Sequence, residues 1–80
     1  MKLPVIKQLV NDHSIEVLNK AENAILEEQK PSIEIEGEDE GEQLTHVMAA
    51  IWIKREMEEN NVPLAKAIRN YSQKVRISIS

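Results

Sequence analysis

The stretch Leu44–Met57, LTHVMAAIWIKREM, limits what this chain can fold into more than any other. It holds the unbroken apolar run Val47–Ile53 and the single tryptophan. Wound as a helix at about 100° per residue, it presents two apolar faces. Leu44, Val47, Met48, Ile51 and Trp52 line one; His46, Ala49, Ala50, Ile53 and Met57 line nearly the opposite one. A helix that is apolar almost all round belongs inside a protein rather than on its surface. The rest of the chain has to cover it, alone or with a partner.

The means available are small. Eighty residues allow one domain, residues 1–80, with one modest core, and a chain of this size buries only roughly two thirds of its unfolded surface. Self-association is a common way to add to that. There is no cysteine, which excludes a disulfide framework, thiolate catalysis and a cysteine-based zinc site. Met1–Val10 lacks the long apolar core of a secretory leader, and no run approaches the ~18 apolar residues of a membrane span. The expectation is a soluble cytoplasmic protein with no membrane partner.

The net charge of −4 hides an asymmetry. Residues 1–53 carry 4 Lys/Arg and 11 Asp/Glu, a balance of −7; residues 54–80 carry 6 and 3, a balance of +3. An acidic half and a basic tail can attract each other within a chain or between copies.

Local signals divide the chain into four helices. Pro4 suits a first helical turn, where no N–H is lost, and Val5, Ile6, Leu9 and Val10 give that short helix one apolar face, ending near Asn11. Ser14 can cap a second helix running from Ile15 to about Gln29, with Val17, Leu18, Ala21, Ala24 and Ile25 inward and Pro31 as the stop. Ser32–Glu36, SIEIE, alternates with period two and reads as a short extended segment with one face on the core. Asp39 followed by Glu42 fits a capping box for the central helix, which Asn60-Asn61 can end in a left-handed turn. Pro63 opens the last helix, whose apolar face is Leu64, Ala67, Ile68, Tyr71 and Val75. The RISIS ending, Arg76–Ser80, alternates like SIEIE and is its one possible strand partner, but the helical spacing before it favours helix.

Few constellations offer chemistry. In the acidic run Glu34–Glu42 a calcium loop starting at Glu36 would place Gly41 correctly sixth but Val47, not glutamate, twelfth. His46 lies one turn after Glu42, a spacing that misses the Glu-x-x-His of di-iron helices, and His13 shares no pattern with it. No phosphate loop, nucleophile elbow or His-Glu-x-x-His occurs. The sequence therefore leads to no catalytic residue, metal or cofactor. Nucleic-acid binding is the rival class: the central helix, the short NNV turn and the last helix outline a helix-turn-helix presenting Lys66, Arg69 and Lys74. The acidic balance of the whole chain and the missing turn glycine oppose it.

The stretch Gly37–His46, GEDEGEQLTH, followed by the Val47–Ile53 run, resembles an uncharacterised family of short acidic bacterial proteins. The opening LPVIKQL and the ending near Val75-Arg76 extend the resemblance over nearly the whole chain. It implies a bacterial cytoplasmic setting and a stand-alone domain of unknown function, and it brings no site residues.

The reading is an all-α domain, a small bundle of about four helices with a short extended segment before the central one. It is expected to be a homodimer, a non-catalytic interaction, accessory or regulatory subunit with room for a further protein partner. One chain covers one face of the central helix; a two-fold partner would cover the other. The expected interface is His46, Ala49, Ala50, Ile53 and Met57, with Trp52 beside them. A helix-turn-helix nucleic-acid binder is the alternative.

Overall fold

Three kinds of local signal set the helix ends in the computed structural model, which describes residues 2–79, with side chains up to Val75. Pro4 lies in the first turn of α1 (Leu3–Asp12). Ser14 caps α2 (Ile15–Leu26), its hydroxyl accepting the Val17 N–H at 3.2 Å. Asp39 caps α3 (Glu40–Asn60) by accepting the Glu42 N–H at 2.8 Å. Glu42 reaches back, but to the N–H of Glu38 rather than of Asp39 itself, a capping box displaced by one residue. Asn61 closes α3 with φ 51° and ψ 49°, and α4 spans Leu64–Ile79.

Two boundaries differ from expectation. α2 stops at Leu26, three residues before Gln29 and well short of Pro31. The stop is a Schellman turn: Gln29 N–H donates to Ala24 C=O at 2.7 Å and Glu28 N–H to Ile25 C=O. Its left-handed position is held by Glu28, φ 59°, where glycine is the usual occupant. At the other end of the chain, Arg76–Ile79 continue α4, so the possible pairing with SIEIE does not form; Ser80 lies outside the described residues. Among the described residues there is no strand.

α3 is the hub on which α1, α2 and α4 all pack. Two bonds fix α1 along it: the Lys2 N–H donates to His46 Nε2, and Lys54 Nζ donates to Val10 C=O, both at 2.9 Å. The partners of each bond stand 44 residues apart, and a constant offset means that α1 and α3 run parallel. Lys54 also brings a cation to the negative end of α1. α4 returns beyond the Asn61–Pro63 turn, so that Tyr71 meets Trp52 with ring centroids 5.5 Å apart.

The extended segment closes the remaining side. Ile35 is buried and Ile33 partly so, with Glu34 and Glu36 outward; period-two alternation works here without a ladder. Gly37 lets the segment lie against the start of α3, where a Cβ would fall 2.8 Å from Gln43 Cγ and 2.9 Å from Gln43 N.

The outcome for α3 departs from the picture of one covered face. His46, Val47, Ala49, Ala50, Ile51 and Ile53 are all buried within a single chain. Three helices and the extended segment suffice to wrap it. Along the middle of the helix the outward strip is narrow, with Gly41, Thr45, Met48 and Arg55 exposed, and the last turn, residues 58–60, is open to solvent.

Candidate interaction surface

His46 is fully buried and its polar atoms are satisfied. Nε2 accepts the Lys2 N–H, and Nδ1 donates to the Glu36 carbonyl at 2.8 Å. The Nδ1–H tautomer is the one these two bonds require. The ring therefore ties the start of α1 and the end of the extended segment to α3.

The residues expected at a dimer interface are accounted for within the chain. His46, Ala49, Ala50 and Ile53 are inaccessible, each with zero relative exposure. Trp52 and Met57 are half-buried against the core. That face is already occupied by the chain's own elements.

The aromatic pair beside it is also engaged. Trp52 and Tyr71 meet at a tilt of 53°, and Lys74 Nζ sits 5.3 Å from the Trp52 ring centroid, within cation–π range. Burial raises the Tyr71 hydroxyl above its ordinary pKa. Lys66, Arg69 and Lys74 are all exposed on α4, but they do not form one recognition face: at 100° per residue Arg69 and Lys74 point roughly 140° apart.

The open apolar surface lies between α1 and α4. Leu3 and Lys7 from α1, with Pro63, Leu64, Ala65 and Ile68, line a groove of about 490 Å³. Leu3 is 42% exposed, and Leu64 and Ile68 are only partly covered. The two helices reach this place because each packs on α3. Local periodicity missed the groove, since its two walls are some sixty residues apart in sequence; the exposed Leu3 beside Pro4 was the one available hint.

Other sites are poorer. A smaller polar hollow of about 120 Å³ holds Asp12, His13, Glu34 and Glu36 beside Val5, Gln8 and Leu9. Among the described residues no group of three or more His, Asp or Glu is placed to hold a metal ion. Among them, too, no helix is long and apolar enough to cross a membrane.

A model of a family of unknown function (DUF6952) matches residues 1–80. The chain belongs to that family. No curated protein and no solved structure matches it. Membership in DUF6952 supplies no activity and no assigned residues, so the functional reading rests on the surface itself.

Proposed function

We propose that this DUF6952 chain is a self-associating interaction module, an accessory or regulatory subunit that works by contact rather than by catalysis, in a cytoplasmic setting. The observation that carries this reading is the α1/α4 groove. It is apolar, open and wide enough for side chains of another polypeptide, and chains this small commonly gain stability by association. The dimer of this reading uses the groove, because the buried face of α3 has no area left to offer.

Dilution of isotopically labelled protein tests it. Between millimolar and micromolar concentration the amide resonances of Leu3, Lys7, Leu64 and Ile68 should shift, while those of Ala49 and Ala50 stay in place. Spectra independent of concentration contradict self-association. A salt-sensitive gel shift of duplex DNA would instead support the helix-turn-helix alternative, whose three cations here diverge around α4.

A further inference from the structure

We infer that the α1/α4 groove receives Leu26 of a second copy of this chain, an assignment that rests on the self-association proposed above. Among the described residues Leu26 is the most exposed large apolar side chain, at 61%. It sits on the last turn of α2, one turn after Glu22, and Glu27 and Glu28 follow it directly. The segment Glu22–Glu28 carries three glutamates and no base.

The groove has the opposite character. The α1 part that borders it, Leu3–Val10, contains Lys7 and no acid, and Lys2 precedes it. α4 carries no acidic residue at all. Lys7 lines the groove itself, and the exposed Arg69 lies roughly 40° around α4 from the groove residue Ala65. An apolar knob flanked by Glu27 and Glu28 thus meets an apolar groove flanked by Lys7 and Arg69. The charges orient and steer the approach, and the leucine excludes water from the groove floor. Leu26 is not among the residues lining its own chain's groove, so the contact joins two molecules. Repeated by a two-fold axis, it occurs twice and closes a dimer; a single head-to-tail contact would leave one knob and one groove free at every step.

Complementation between two surface variants tests the assignment. Leu26 and Ala65 are both exposed, so Leu26→Asp and Ala65→Asp each leave the core untouched. Each variant alone should sediment as a monomer under conditions where the wild type is dimeric. An equimolar mixture pairs the intact groove of the first with the intact knob of the second and should recover a heterodimer, weaker than wild type because one contact of two is restored. Dimerisation of Leu26→Asp as strong as the wild type, or a mixture that stays monomeric, overturns the assignment while leaving self-association standing. A monomeric wild type overturns both.

Discussion

Nε2 of the buried His46 accepts the backbone N–H of Lys2 at 2.9 Å, across 44 residues of sequence. With Nδ1 committed to the Glu36 carbonyl, one imidazole satisfies main-chain groups from two separate segments. His46→Ala removes both partners and leaves a hole in the core. The expected cost is about 2–4 kcal/mol, from unsatisfied backbone groups and lost packing together. Urea unfolding measures it, and the Lys2 amide should exchange faster in the variant. A loss under about 1 kcal/mol would show that water replaces the ring at no net cost.

Ile53 belongs wholly to the interior of one chain. Ile53→Ala should cost about 2–5 kcal/mol, as for other large-to-small changes at closed sites. Ile53→Glu should abolish helical circular dichroism rather than produce a folded monomer. A well-folded Ile53→Glu monomer would place this residue at a subunit boundary and reverse the account of α3.

Glu28 occupies the left-handed residue of the Schellman turn at φ 59°. A side chain there is strained by roughly 1–2 kcal/mol, part of which glycine's greater unfolded-state freedom offsets. Glu28→Gly is therefore expected to stabilise the fold by about 0.5–1 kcal/mol. Thermal unfolding checks it: a lower midpoint would mean that the glutamate makes a contact worth more than the strain.

Much of this architecture is legible along the chain, because the signals concerned are local. Ser14, Asp39, Asn61 and Pro63 mark helix ends through backbone chemistry that acts within a few residues. Ile33 and Ile35 show their inward face by simple alternation. What is not legible depends on non-local packing. Periodicity identified the apolar sides of α3 but not how many neighbours a single chain could bring to them. His46 binds main-chain groups, which every residue possesses, so its partners leave no trace in residue identity. The early end of α2 escaped because glutamate is a rare occupant of a left-handed cap, and the groove escaped because Leu3 and Leu64 meet only through their common support on α3.

Tyr71 gives the fold a pH dependence at the alkaline end. Burial raises its pKa, so the folded state holds the phenolic proton more tightly than the unfolded chain does. The associated stability is fully present below the unfolded value, about 10, and is lost as pH rises through the folded value. Followed upward from about pH 8, the unfolding free energy of the wild type should fall relative to that of Tyr71→Phe. Parallel curves would mean that the hydroxyl is as well hydrated in the fold as outside it.

The most direct test of the central claim, that α3 is sealed within its own chain and the α1/α4 groove is the surface left for assembly, is sedimentation equilibrium of the wild type against Ala65→Asp at the same millimolar concentration. The wild type should show twice the chain mass of 9.2 kDa, and the folded variant the mass of one chain. Equal masses for the two proteins, whether both dimeric or both monomeric, would contradict it.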